Sequence, residues 1–199
     1  MTATAAVRAV AGSPTARTVA WVLAGGGIAG TVAAFALTVD RIRLLENPAF
    51  VPGCSWNAVL SCGSVMTSPQ AQVFGFPNPL IGLVAFPVVA TLGVALLGGA
   101  VLPVRMWQGL WLGSLAGVAF VHWLIVQSVY VIGALCPYCM VVWVATIAVF
   151  WYVTAHLLAG AGPQARRVAA MHGAVLTLWL LLIAAVAVTR FALPAVSAG

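Results

Sequence analysis

The stretch MWQGLWLGSLAGVAFVHWLIVQSVYVIGALCPYCMVVWVATIAVFWYVTAHLLAGAGPQA, residues 106–165, runs without a single Arg, Lys, Asp or Glu. A helix needs about 20 mainly apolar residues to cross a hydrocarbon core of about 30 Å, so this run is room for two spans and a short connection. The connection falls at Ala134–Pro137. The rest of the chain has the same character. Of 199 residues 64% are apolar, and the charges are eight Arg, no Lys and two acids, Asp40 and Glu46. Soluble domains carry about 25% charged residues. The composition therefore excludes a cytosolic enzyme and a disordered chain. It excludes a nucleic-acid binder too, because the net charge of +6 comes from scattered arginines that make no patch able to track phosphates. The surroundings this surface suits are a lipid bilayer.

Working outward, the sequence predicts five helices at Thr18–Val39, Pro79–Leu102, Gln108–Gly133, Cys139–Leu158 and His172–Leu193. This is an all-α integral membrane protein, a four-helix bundle plus a fifth transmembrane helix. Its expected organisation is a tail at 1–17, the bundle at 18–158 with an outer loop at 40–78, a loop at 159–171, and the fifth helix with a short tail at 172–199. Arg8 and Arg17 before an apolar stretch ending in Ala34-Phe35-Ala36 also fit a cleaved leader, but the stretch is long for one and apolar residues continue past it. Arginines favour the cytoplasmic side. With the N-terminus inside, Arg8, Arg17, Arg105, Arg166 and Arg167 are cytoplasmic, and Arg41, Arg43 and Arg190 are outside. The tail 1–17 and loop 159–171 are then cytoplasmic, in a multi-pass protein of the cytoplasmic (inner) membrane. Small residues let helices approach in lipid, so Gly26 and Gly30, and Gly109, Gly113 and Gly117, read as packing positions.

All four cysteines fall on the outer face: Cys54 and Cys62 in the loop, Cys136 and Cys139 as Cys-Pro-Tyr-Cys at the start of the fourth span. An even number on an oxidising face suggests two disulfides. A Cys-x-x-Cys bridge closes too short a loop to stabilise much. At a helix start, with Pro137 at the first turn, Cys136 meets free N–H groups and the positive end of the helix dipole, which favour a thiolate suited to exchange. Cys139 sits nearly one turn deeper and Trp143 a further turn below, so the deeper sulfur faces the membrane. Pro48, Pro52 and Gly53 break the loop before Cys54, and Trp56, Val59 and Leu60 suggest an interfacial half-helix carrying Cys62 over the bundle mouth, with Cys54 accessible to a protein thiol. A zinc site of four thiolates and purely structural disulfides remain alternatives, and no metal is expected. A c-type haem needs His after the second Cys, where Met140 stands.

Cys54-Ser-Trp-Asn-Ala-Val-Leu-Ser-Cys62, the following Gly-Ser-Val-Met-Thr-Ser68, Asn78-Pro-Leu-Ile-Gly82 and Leu-Cys136-Pro-Tyr-Cys139 together resemble the vitamin K epoxide reductase family over roughly Ala20–Leu158. The resemblance, closest to bacterial and actinobacterial-type members, implies that the four-helix bundle is catalytic. It implies a membrane oxidoreductase that reoxidises a DsbA-like thioredoxin-fold protein and passes electrons to a membrane quinone, menaquinone, supporting disulfide formation. Carried over, Cys54 receives electrons from the partner, Cys62 forms a transient mixed disulfide with Cys136, and Cys139 reacts with the quinone. Asn78 matches the donor to a quinone carbonyl, and Ser68 a small hydroxyl near the cap of the site. Trp143 stands where animal relatives have Tyr, and it donates but cannot accept. The DsbB-like rival places its Cys-x-x-Cys before the spaced pair, the reverse of the order here. Some bacterial relatives append a thioredoxin-like domain. This chain ends at Gly199, so a separate partner is expected.

His122, inside the third span, reads as a neutral interhelical hydrogen-bonding residue in spite of the functional weight of intramembrane ionisable groups. Gln127, Ser128 and Tyr130 lie nearer the outer end, and nothing in the sequence selects among them. His156 and His172 read as interfacial, and Trp107, Trp111, Trp151 and Tyr152 as interface belt or bundle packing. The reading from another class is a non-catalytic membrane scaffold or small transporter with structural disulfides.

Overall fold

A computed structural model describes residues 14–160 and 162–197. Among the described residues, five helices are long and apolar enough to span a membrane. They are α1 (Pro14–Glu46), α3 (Pro79–Leu97), α4 (Val104–Val126), α5 (Pro137–Ala159) and α7 (His172–Ser197), with a short α2 (Cys62–Met66) in the outer loop and α6 (Pro163–Ala170) before the last span. No strand is present among the described residues; one isolated parallel bridge joins Leu60 to Leu135. Most of the expected N-terminal tail, including Arg8, lies outside the described residues.

Helix ends differ from the expected ones for local reasons. α1 continues seven residues past Val39, because nothing opposes helix until Asn47, whose conformation Pro48 restricts. At about 1.5 Å per residue its 33 residues outrun the hydrocarbon core, so Asp40–Glu46 stand above it as helix, where the sequence suggested loop. Asp40 and Arg43 pair there at 4.0 Å. α3 stops at Leu97, short of Leu102, because Gly98 caps it and Gly99 takes φ +90°. α4 ends in a π-helical turn, Gln127–Ile132, closed by left-handed Gly133. The predicted half-helix at Trp56–Leu60 does not form. The Asn57 side chain accepts from the N–H groups of Val59 and Leu60, and the Leu60 carbonyl accepts from Trp56 and Asn57, so the backbone turns back on itself.

α1 packs along α3 and α5, and α4 packs on α5. α3 and α4, although consecutive, barely touch. α7 lies outside the bundle, with Leu176, Trp179, Leu180 and Ile183 against the cluster of Val118, Val121, Ile125 and Ile147. His122 joins the two layers. Its Nδ1 lies 2.8 Å from the Val118 carbonyl and its Nε2 accepts from the Trp179 indole at 3.0 Å, a pairing that the neutral Nδ1–H tautomer satisfies. At the opposite end from the cysteines, Trp107 stacks on His156 with centroids 4.0 Å apart, Trp111 donates to Thr154, and the Trp151 indole donates to the His172 carbonyl. These aromatics are bundle packing.

The closest backbone approach is between α1 and α3. A Cβ on Gly93 would collide with the Ala24 backbone, one on Gly27 with the Ala90 backbone, and one on Gly30 with the Phe86 ring. Gly26 is looser, with Val149 Cγ2 at 3.4 Å. Gly93→Leu is therefore expected to destabilise the bundle by about 1–3 kcal/mol or more through overpacking. A lowered thermal midpoint of the purified protein in detergent checks this, and an unchanged midpoint would show that the two helices are free to separate.

Candidate active site

Two backbone hydrogen bonds build the site. Ser61 N donates to the Leu135 carbonyl at 2.9 Å, and Leu135 N donates to the Val59 carbonyl at 2.7 Å. With Leu60 and Leu135 side by side, the chain on both sides runs on directly into a cysteine and a helix. Ser61 caps α2, its Oγ accepting from Ser64 N, and Cys62 opens that helix. Cys136 caps α5, with Pro137 in the first turn as expected, and its Sγ accepts from the Cys139 N–H at 3.4 Å.

The sulfurs follow from this register. Cys54 and Cys62 form a disulfide, while Cys136 and Cys139 are thiols, so the structure holds one bridge where two were expected. Cys136 places its Sγ 3.1 Å from Cys62 Sγ, a separation at which a thiolate can attack a disulfide. The Sγ atoms of Cys54, Cys62 and Cys136 lie within 4.8 Å of one another. The expectation that Cys54 is open to solvent is not met. It is 5% exposed, and Cys62 and Cys136 are fully buried. They share one buried cluster with Leu37, Met66 and Leu44, the last on the unforeseen extension of α1, and Phe50 packs against it.

The Cys136 thiol, in the connection just outside the fourth span, is held below its ordinary value. Hydrogen bonding to the Cys139 side chain lowers it most; burial opposes this; the N–H groups of Cys139 and Tyr138 lower it further, and the Asp40 carboxylate pulls it up.

Cys139 belongs to a second environment as well. It lines a cavity of about 560 Å³ together with Trp143, Asn78 and Ser68. The cavity brings these four predicted residues together and leaves Cys54, Cys62 and Cys136 in the sulfur cluster above. Asn78 ties down the cavity's cap. Its Nδ2 donates to the Gln70 carbonyl at 2.7 Å and its Oδ1 accepts from Val73 N at 3.2 Å. Gln70 Nε2 reaches Gln127 Oε1 at 3.4 Å, and Arg41 Nη2 reaches Gln72 Oε1 at 3.5 Å, so the segment 69–78 is pinned to α4 and α1. Ser68 spends its proton on the Val65 carbonyl at 2.7 Å. Gly109 and Gly113, read from sequence as packing positions, have nothing within 4 Å of a built Cβ and form part of the cavity wall. Only Gly117 of that series meets a neighbour, Thr146, at 3.2 Å. Of the three outer residues left undecided, Tyr130 points outward, Gln127 holds the cap and Ser128 lines the cavity.

A multi-pass helix bundle with a buried disulfide, a thiol against it, and a second thiol opening on an apolar chamber has the make-up of a membrane redox enzyme. Residues 21–154 match the vitamin K epoxide reductase family, and the chain belongs to that family. Oxidoreductase activity comes with membership, and the family works with quinone-type electron carriers. No individual curated protein matches the chain closely enough to stand as a named relative.

The sign of the Cys136 effect is testable where both loop cysteines are replaced by Ala. With its acidity raised by the Cys139 side chain, the Cys136 thiolate forms at lower pH than an ordinary thiol. Cys139→Ala is expected to move that titration to higher pH than Cys139→Ser, which keeps a side-chain donor. Ultraviolet thiolate absorbance across a pH series reads the difference, and superimposable curves would remove Cys139 as the cause.

Proposed function

We propose that the protein reoxidises a secreted DsbA-like thioredoxin-fold partner and delivers the electrons to a membrane quinone, menaquinone, so that disulfide bonds form outside the cytoplasm. The observation that carries this reading is the placement of the Cys136 Sγ 3.1 Å from Cys62 of the Cys54–Cys62 disulfide, with Cys139 beyond it on the cavity wall. Disulfides that only stabilise gain nothing from a third, more acidic sulfur set against them.

The steps balance as two-electron exchanges. The partner's dithiol reduces Cys54–Cys62, with Cys54 the sulfur attacked, and leaves as a disulfide. The Cys62 thiolate attacks Cys136 of a Cys136–Cys139 disulfide and displaces Cys139 as a thiolate. Cys54 then attacks Cys62, re-forming Cys54–Cys62 and releasing Cys136. The resulting Cys136/Cys139 dithiol gives up two electrons and two protons and closes again. A quinone supplies the acceptor for that pair. The arrangement described above, outer pair bridged and inner pair as thiols, matches the stage just before this last transfer.

The residues fit such an acceptor. The chamber is almost wholly apolar, Asn78 keeps a second N–H with no acceptor among the described residues, and Trp143 forms its wall. Ser68, its proton already committed to Val65, shapes the cap. The catalytic unit is 18–158 with its loop 40–78, and the tail 1–17 and the loop 159–171 face the cytoplasm. Arg17, Arg105 and Arg167 then lie inside, with the cysteines, Arg41, Arg43 and Arg190 outside. Cys54 is 5% exposed, so a partner must open the packing around the sulfur cluster to reach it.

Cys139→Ala is expected to abolish menaquinone reduction driven by a dithiol partner, and Cys62→Ser to block partner turnover while leaving Cys136–Cys139 reducible by a small dithiol. Full turnover in Cys139→Ala, or equal loss with every reductant in Cys62→Ser, sinks the relay. A separate expectation concerns the empty wall of the chamber. Gly113→Leu fills space with no neighbour to strike, so it raises the KM for menaquinone at least several-fold with the thermal midpoint held. A lowered midpoint with unchanged KM would assign this face to packing.

A further inference from the structure

We propose that Ser128 is the second polar contact of the quinone head, beside Asn78, and the one that serves both redox states. This rests on the quinone reading above. Ser128 sits in the π-helical turn at the outer end of α4, an arrangement found often at functional sites. Its carbonyl accepts from Gly133 N at 3.0 Å and Ala134 N at 3.2 Å, which anchors it one connection away from Cys136. The residue is 3% exposed and lines the cavity.

The accounting of hydroxyls singles it out. Ser68, Ser114 and Thr146 also line the cavity, and each donates to a backbone carbonyl: Val65 at 2.7 Å, Trp111 at 3.0 Å and Val142 at 2.8 Å. Elsewhere in the spans Thr31, Thr38, Thr91 and Thr154 spend their protons in the same way. The Ser128 hydroxyl has no such partner among the described residues. No side-chain N or O that is fully enclosed there lacks a hydrogen bond, so this hydroxyl keeps open surface, and the space it lines is the cavity. An open hydroxyl in an otherwise apolar wall is free to take a ligand oxygen as its partner.

The chemistry selects serine over its neighbours. A quinone oxygen only accepts, whereas the hydroxyl of its reduced form also donates. Asn78 has its oxygen already accepting from Val73 N and one N–H given to Gln70, so what it offers most freely is its second N–H. The Trp143 indole is a donor only. A serine hydroxyl donates to the oxidised head and accepts from the reduced one. Gln127, next to Ser128, bonds Gln70, whose carbonyl holds Asn78, so one polar chain ties the two contacts to the same cap.

The test uses the full-length protein in detergent with a short-chain menaquinone carrying isotope-labelled carbonyls. Ser128→Ala is expected to raise both the Kd, read by tryptophan fluorescence quenching, and the KM by about tenfold, the loss of one neutral hydrogen bond. The stretch of one carbonyl moves to higher frequency in the infrared, and small-dithiol reduction of Cys54–Cys62 is unchanged. Ser128→Thr, which keeps the hydroxyl, restores the carbonyl frequency. Wild-type affinity and carbonyl frequency in Ser128→Ala overturn the proposal while leaving the quinone reading intact. Weakened affinity with an unshifted carbonyl also overturns it, in favour of packing. Failure of the unaltered protein to bind menaquinone overturns both.

Discussion

Two hydrogen bonds between the Leu60 region and Leu135 set the register on which the sulfur chemistry depends. Each is an ordinary backbone bond, worth about 1 kcal/mol net, yet together they decide which atoms meet. Cys62 and Cys136 come shortly after the paired residues, at the starts of α2 and α5. A slip of one residue would carry Cys62 to the other side of its segment, as in any extended pairing. The rest of the loop holds the bridge in place. The Asn57 turn returns the chain to Leu60, Ser55 Oγ accepts from Gly63 N, and the Cys54–Cys62 disulfide closes the segment. The gain is positional, since sulfurs held at attack distance exchange without a search for orientation.

Much of this was legible in the sequence, for reasons that can be named residue by residue. An uncharged run as long as 106–165 has few solutions other than spans, and Cys136-Pro137 at a helix start carries its capping geometry with it. The burial of Cys54 was not legible. Cys54 lies in a cluster that includes Leu44, and Leu44 is helical only because α1 persists to Glu46. The charges Asp40, Arg41 and Arg43 made that segment read as loop, although a helix protruding from a bilayer is where charged helical residues belong. The half-helix at Trp56 failed in the opposite sense: apolar residues suggested helix, and the Asn57 side chain claimed the N–H groups of Val59 and Leu60.

Glycine spacing shows a deeper limit. Gly26 and Gly30 on α1, and Gly109, Gly113 and Gly117 on α4, have the same four-residue period. On α1 the absent side chain admits the Phe86 ring at Gly30, and the out-of-series Gly27 admits the Ala90 backbone. On α4 it leaves open space at Gly109 and Gly113. A stripe of small residues states that something other than a side chain occupies that face. Whether the occupant is a neighbouring helix or a chamber depends on the partner surface, and α3, which lines the same cavity, is drawn against α1 at Gly93 and Gly27. Close packing on one side of α3 thus opens the cavity on its other side.

The chamber and the sulfur cluster are two separate environments. α3 and α4 barely touch, and α7 packs against the cluster that α4 and α5 share. On the relay proposed above, the apolar chamber suits a lipophilic acceptor and the sulfur cluster is where a protein thiol would exchange. Cys139 alone among the cysteines lines the chamber, while Cys54, Cys62 and Cys136 share a buried cluster with Leu44 and Met66. In the proposed relay the sulfurs are therefore the link between the two environments; the Cys62 to Cys136 step is already within reach at 3.1 Å, and packing must open where a partner meets Cys54, which is 5% exposed.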